Sequence, residues 1–248
     1  VVIPAYNEEK RIAATLEALA VEIPRPYHPY EVIVVNDGSG DRTAAVVERL
    51  QRTMPHLSLI NLERNCGKGR AVTVGMLAAE GTYTVFMDAD LSTPLTELPR
   101  IMAGLEAGWD VAIGSRALPE SVIEIHQPLF REWMGKIFNR FVRWLVIPHI
   151  LDTQCGFKGF RREAARAIFS RLATTRFGFD VEVLLWAQHL GLGMREVPIR
   201  WRNAPHSRVS PITDSWEMFW TLIRLKQSFQ RRIRECPKPY PPLELVGK

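Results

Sequence analysis

The run Val85-Phe86-Met87-Asp88-Ala89-Asp90-Leu91-Ser92-Thr93-Pro94 passes from three apolar residues to two carboxylates one residue apart. An apolar run of this kind reads as a buried strand that delivers acids to its carboxyl end, the edge at which open α/β sheets bind ligands. Residues i and i+2 share a face while a strand continues, and a turn beginning at Asp90 would let both carboxylates approach one cation. A hard divalent ion takes oxygen ligands, commonly one or two carboxylates plus the phosphates of a substrate. Taken alone, Asp-Ala-Asp reads better as an Asp-rich turn than as a metal site, so its neighbours carry the argument.

Working outward, strand-like and helix-like segments alternate. Residues 1–4, 31–35, 57–62, 82–87 and 109–114 read as strands; residues 8–20, 41–50, 69–79 and 94–107 read as helices. This alternation implies parallel βαβ units with right-handed crossovers. Each of the first four strands ends in a polar loop. Pro4, Ala5, Tyr6, Asn7 and Glu8 follow the first. Asn36-Asp37-Gly38-Ser39 follows the second, and an acid at that place in nucleotide-binding sheets commonly holds a ribose hydroxyl or a base edge. Asn65-Cys66-Gly67-Lys68-Gly69-Arg70 follows the third and enters a helix, where glycines permit close backbone approach and the helix terminus favours an anion. It lacks the Walker A spacing. Four such loops in succession, ending in Asp88-Ala89-Asp90, point to one nucleotide–metal site.

Composition is that of a globular protein: of 248 residues, 46% are hydrophobic and 24% charged. A net charge of +5 suits an anionic partner such as a nucleotide, a phosphate or a membrane surface. No groove-reading motif or aromatic platform supports nucleic acid as that partner. Cys66, Cys155 and Cys236 have no metal-ligand spacing, and an odd count speaks against a disulfide framework, so a reducing, cytosolic face is expected. No apolar run reaches the length of a spanning helix. The chain begins without Met, inside a strand-like run, so the natural protein is expected to extend upstream.

The second half changes character. Residues 130–146 read as a helix with Phe130, Trp133, Met134, Ile137, Phe138, Phe141, Trp144 and Leu145 on one arc, and Lys136, Arg140 and Arg143 beside it. Such a helix either lies in a membrane interface, its basic flank on the headgroups, or packs on the sheet. Residues 215–233 form a second amphipathic helix with a broader arc, better suited to burial. The Pro-rich end, 237–242, reads as a tail.

With these motifs in order, the chain resembles a family 2 glycosyltransferase of the GT-A fold: α/β, with a mostly parallel Rossmann-like sheet and C-terminal amphipathic helices. Asp152-Thr153-Gln154-Cys155-Gly156-Phe157-Lys158 and Arg176-Phe177-Gly178-Phe179-Asp180-Val181-Glu182 resemble the dolichyl-phosphate or polyprenyl-phosphate glucosyltransferase branch, with the dolichyl-phosphate mannose synthases next. The resemblance covers residues 1–229 as one catalytic domain: a nucleotide-sugar half (1–116), an acceptor half facing the membrane (117–229), then a basic, Pro-rich tail (230–248).

The resemblance implies that Pro4, Ala5, Tyr6, Glu8, Asp37, Lys68, Asp88 and Ala89 hold the nucleotide. It implies that Asp88 and Asp90 bridge the diphosphate to Mg²⁺ or Mn²⁺. Mannose synthases often carry Gln two residues past the second Asp; this chain has Ser92, which favours the glucosyltransferase side. Arg116 and Arg131 match positions that receive an acceptor phosphate, for which the planar guanidinium fork is suited. Gln154, Lys158, Arg202, Ser207 and Arg208 complete the acceptor and diphosphate set, Arg208 standing where relatives carry Lys. Asp180 is the expected base or acceptor-orienting group, with Glu182 behind it. The implied reaction is inverting hexose transfer, glucose from UDP-glucose, to a polyprenyl phosphate at the cytoplasmic face of a membrane, with the enzyme peripheral or anchored by a segment outside this chain. Mannose transfer from GDP-mannose, a family 2 transferase with another acceptor, and an inactive nucleotide-sugar-binding membrane module are the alternatives. Oligomeric state is left open.

Overall fold

The structure, a computed structural model, describes residues 1–23, 25–126, 128–145, 147–176, 178–203 and 213–235. Four strands open the chain with helices between them: β1 (Val2–Ala5), α1 (Ile12–Glu22), β2 (Val32–Asn36), α2 (Thr43–Gln51), β3 (Leu57–Asn61), α3 (Lys68–Ala78) and β4 (Tyr83–Met87). A 3₁₀ turn and α4 (Leu98–Glu106) lead to β5 (Val111–Ser115). Alternating side chains within these strands feed two cores. Val2, Ile33, Val35 and Phe86 pack with Ala71, Val72 and Met76 of α3. Ile3, Val34, Val85 and Met87 pack with Ile12, Leu16 and Leu19 of α1 and with Ile101 and Leu105 of α4. A sheet buried on both faces explains why its strands read as near-continuous apolar runs.

Beyond β5 come β6 (Val122–Ile125), α5 (Leu129–Leu145), β7 (Phe157–Arg161), α6 (Arg162–Phe169), α7 (Phe179–His189), β8 (Met194–Pro198), β9 (Arg200–Arg202) and α8 (Thr213–Glu235). The main sheet has the order β3-β2-β1-β4-β7-β5-β8, and β6 with β9 forms a separate parallel pair. The sheet is mostly parallel, as expected. The exception is β7, which runs antiparallel to both β4 and β5. Residues 117–229 thus return β7 and β8 to the sheet begun by residues 1–116, and both cores draw on both stretches of chain.

This reversal matters for the site. An antiparallel strand starts at the edge where its neighbours end, so residues 152–156 arrive beside the loop that leaves β4. The register pairs Met87 with Phe157, which sets Asp88 against Gly156.

The two amphipathic helices differ in outcome. On α8, Leu222, Leu225 and Phe229 are buried, the first two with Val142 of α5 and Val181 of α7. On α5, Phe130, Trp133, Ile137 and Trp144 stay exposed, Trp144 at 79% and Trp133 at 61%, while Val142 on the opposite side is fully enclosed. α8 also continues to Glu235, past the expected domain limit at residue 229. The Pro-rich run 237–242 lies outside the described residues. Among the described residues, no helix is long and apolar enough to cross a membrane.

Candidate active site

The loops after β1, β2, β3 and β4 are bonded to one another in sequence. Asn7 N–H donates to Ser39 Oγ at 2.9 Å and Glu8 N–H to Thr43 Oγ1 at 2.7 Å, joining the first loop to the second. Asp37 joins the second to the third: its two oxygens accept the N–H groups of Cys66 (2.7 Å) and Gly67 (2.9 Å). Burial raises the Asp37 pKa against the lowering effect of these two bonds. Glycine is obligatory at two points here. Gly38 has φ +64°, and a Cβ would sit 2.3 Å from the Arg64 carbonyl carbon; at Gly67, φ +96°, a Cβ would sit 2.5 Å from the Thr175 oxygen. Lys68 joins the third loop to the fourth, with Nζ 2.5 Å from Asp88 Oδ1.

The loops enclose a cavity of about 380 Å³. Pro4, Ala5, Tyr6, Glu8, Asp37, Lys68, Asp88, Ala89 and Asp90 all line it, so the structure brings together every residue assigned from sequence to nucleotide and metal. Burial alone would lower the Lys68 pKa, but Asp88, with Asp180 and Asp90 farther off, overrules it and carries the amine up to about 12. Lys68 is therefore a fixed cation at the cavity wall, suited to a diphosphate.

Asp88 and Asp90 are shaped by their surroundings. Asp90 Oδ1 accepts the Ser92 N–H at 2.9 Å, a local turn that requires Leu91 in the left-handed region at φ +51°. An aliphatic residue there is strained, a feature that clusters at functional sites. β9 supports the turn: Arg202 N–H donates to the Ser92 carbonyl at 2.8 Å and Arg202 Nε to that of Leu91 at 3.4 Å. From the other side Thr15 Oγ1 donates to the Ala89 carbonyl at 2.6 Å. Among the described residues no cluster of three or more His, Cys, Asp or Glu could hold a metal ion. Two carboxylates on a cavity beside the Lys68 cation do fit an ion that completes its shell with substrate oxygens.

Arg116, after β5, lies on the same edge. Its Nε and Nη2 bond both oxygens of Asp152 (2.7 and 2.9 Å), and its N–H donates a third bond at 2.9 Å. Burial would lower the guanidinium pKa, yet Asp152 holds it above the ordinary value; in turn Arg116 holds the buried Asp152 carboxyl below its own. The ring of Trp201 lies 5.4 Å from the Arg116 guanidinium carbon. A guanidinium fork held in this way suits an oxyanion on its outer side. Sequence reasoning missed Glu196, which accepts the N–H groups of Leu151 and Asp152 at 2.8 and 2.9 Å and so fixes the carboxylate that orients Arg116.

Three expected roles do not match the placement of the side chains. Lys158, expected beside the acceptor, is wholly buried in β7, with Nζ 2.5 Å from Asp180 Oδ1 and 2.6 Å from the Cys155 carbonyl. Asp180, expected as the base, is committed to that ion pair at the start of α7. Glu182 is buried and fully engaged. A lysine in mid-strand escapes recognition as interior because its partner lies 22 residues downstream. Gln154 adds its N–H to Asp152 at 3.2 Å. Arg131 falls within α5 with its side chain not described, and Ser207 and Arg208 lie outside the described residues. Arg11 and Arg176 line the cavity without having been assigned to it; Arg11 was legible as the i+3 partner of Glu8, to which it is bonded twice at 2.7 Å.

This site has relatives. The sequence profile described as glycosyl transferase family 2 matches residues 1–169. The chain belongs to that family. The family 2 chain is 36% identical over 240 residues to the dolichyl-phosphate beta-glucosyltransferase of Drosophila melanogaster, covering 91% of this chain and 71% of the relative. It is 35% identical over 238 residues to the Homo sapiens protein of the same name, with the same coverage of each. Among solved structures, glucosyl-3-phosphoglycerate synthase from Mycobacterium tuberculosis, in complex with Mn²⁺ and UDP-glucose, superposes with a TM-score of 0.66 at 20% identity, over 92% of this chain and 77% of that one. That likeness bears on the fold, and it places the transferase among GT-A architectures.

Proposed function

We propose that this family 2 transferase moves glucose from UDP-glucose to dolichyl or another polyprenyl phosphate at a membrane surface, with inversion at the anomeric carbon. The observation that carries the reading is the cavity itself, where four cross-bonded loops set two carboxylates and the Lys68 cation around a space sized for a nucleotide sugar. The names of the Drosophila and human relatives supply the choice of glucose and dolichyl phosphate.

The pocket of Pro4, Ala5, Tyr6 and Glu8 would take the nucleoside, and Lys68 the diphosphate. Asp88 and Asp90 would hold Mg²⁺ or Mn²⁺, which supplies charge neutralisation for the departing diphosphate. An oxygen of the acceptor phosphate attacks the anomeric carbon as the bond to the diphosphate oxygen breaks, and the nucleoside diphosphate leaves. Arg116, braced by Asp152, orients the incoming phosphate. No general base is required, since a phosphate monoester is already ionised near neutral pH; this agrees with the engaged state of Asp180 and Glu182.

The exposed stripe on α5 fits the acceptor. Phe130, Trp133, Ile137 and Trp144 recur at helical spacing, and Val122 and Ile125 of β6 are exposed as well. Aromatic residues of this kind settle at the lipid–water boundary, and exposed Arg140 suits anionic headgroups. Trp133→Ala/Trp144→Ala is expected to cut co-sedimentation with vesicles containing anionic lipid by about tenfold, in line with the apolar area removed. Undiminished sedimentation would take α5 out of the membrane contact.

The test of the function is a transfer assay with polyprenyl phosphate, Mg²⁺ or Mn²⁺, and a panel of UDP and GDP sugars. Glucosyl lipid formed from UDP-glucose is the expected product. Product from GDP-mannose alone would replace glucose by mannose, and product only with a soluble glycan would replace the lipid.

A further inference from the structure

The segment 171–176 lies between α6 and α7 outside any helix or strand, yet it forms part of the donor cavity through Arg176. It is pressed against the start of α3. The Thr175 carbonyl accepts the Arg70 N–H at 3.1 Å, and a Cβ on Gly69 would sit 2.8 Å from the Thr174 oxygen. Irregular backbone needs something to hold it in such a place, and here that is Glu182. Its Oε2 accepts the Thr174 N–H at 2.7 Å, and Oε1 the Ala173 N–H at 3.1 Å and Trp186 Nε1 at 3.4 Å.

A carboxylate with no solvent exposure requires a cation nearby. The cation comes from the far end of the chain: Arg232, on α8, places Nη1 2.5 Å from Glu182 Oε1. Its Nη2 donates to the Arg171 carbonyl, at the other end of the same segment, and its guanidinium carbon lies 5.3 Å from the centre of the Trp186 ring. One guanidinium thus touches the start of the segment directly and its middle through Glu182.

We propose that Arg232 and Glu182 are positioning residues for donor binding: the C-terminal helix clasps segment 171–176 and sets Arg176 and the 67–70 backbone in the nucleotide cavity. The inference rests on the reading of that cavity as the donor site. Neither residue touches the cavity, so their loss acts on donor affinity while the groups that meet the acceptor stay in place.

The experiment compares Arg232→Met, which keeps the apolar stem, with Arg232→Lys, which keeps the charge and loses the fork. UDP binding with Mn²⁺ is measured by calorimetry, and donor KM and kcat at saturating polyprenyl phosphate by transfer assay. The expected result for Arg232→Met is a rise of about tenfold in the UDP Kd and the donor KM, with kcat and acceptor KM unchanged, the scale of one lost charge-assisted contact. Arg232→Lys should recover part of it. Unchanged UDP Kd and donor KM in a folded Arg232→Met protein would overturn the proposal, as would a fall in kcat alone. Should Arg232→Met fail to fold, Arg232→Lys decides on the same split: a raised donor KM supports the clasp and an unchanged one overturns it. A wild-type protein that binds no UDP or UDP-glucose would sink the donor reading, whereas a wild type that binds them and variants that bind equally would sink only the clasp.

Discussion

Asp180→Asn is expected to lower the free energy of unfolding by roughly 3–5 kcal/mol, the usual cost of leaving a buried charge without its partner. Lys158 has no solvent exposure, and Asp180 supplies the anion bonded to its Nζ; its other contacts are the Cys155 carbonyl and the ring of Phe86, 5.4 Å away. Removing the carboxylate charge strands the ammonium in the interior, between the sheet and α7. The double change Lys158→Met/Asp180→Asn is expected to recover much of the loss, because the buried charge has then gone too. Urea unfolding of the three variants measures this. A base at Asp180 makes the opposite prediction, with native stability and transfer reduced by about 10²–10⁴-fold. Asp180→Asn melting like the wild type while turnover collapses would restore that role.

Gly156→Ala is expected to reduce kcat/KM by about 10²-fold with the fold retained, the scale of an ångström's misplacement at a reacting centre. A Cβ on Gly156 would stand 2.1 Å from Asp88 Oδ2 and 2.7 Å from its Cγ. Both cannot occupy that space, and Asp88 is the element that can turn aside, breaking its pair with Lys68. The dependence of activity on Mn²⁺ should shift to higher concentration at the same time. Gly135→Ala, in exposed helix with open space around it, is the control, expected to retain activity and gain up to about 1 kcal/mol in stability. Wild-type activity and Mn²⁺ dependence in Gly156→Ala would mean that the observed orientation of Asp88 is not the working one.

The donor side of the molecule was open to reading from sequence because each of its loops follows an apolar strand and precedes a periodic helix, so Asp37, Lys68, Asp88 and Asp90 fall on one edge once the alternation is recognised. The acceptor side resisted. Nothing in Phe157-Lys158-Gly159-Phe160-Arg161 encodes strand direction, and a lysine in its middle breaks the apolar run that marks a buried strand. The pairing of Lys158 with Asp180 was not legible for one reason: a charge pair spanning a strand and a helix satisfies itself internally and leaves no periodic trace. On α5 the apolar arc was visible, but whether an arc meets lipid or protein depends on what other elements cover. Leu222 and Leu225 of α8 pack onto Val142 and Val181, while the opposite side of α5 stays bare.

The bonds from Asn7 and Glu8 to Ser39 and Thr43, from Asp37 to Cys66 and Gly67, and from Lys68 to Asp88 fix the shape of the cavity. They also govern when disorder is lost. Loops free to wander would have to be frozen each time a substrate arrives, at a penalty deducted from its affinity. Here the freezing happens during folding, and the nucleotide meets a rigid mould. Its attraction for that mould is then available for work at the anomeric carbon, where interactions that tighten only as the glycosidic bond breaks determine the rate.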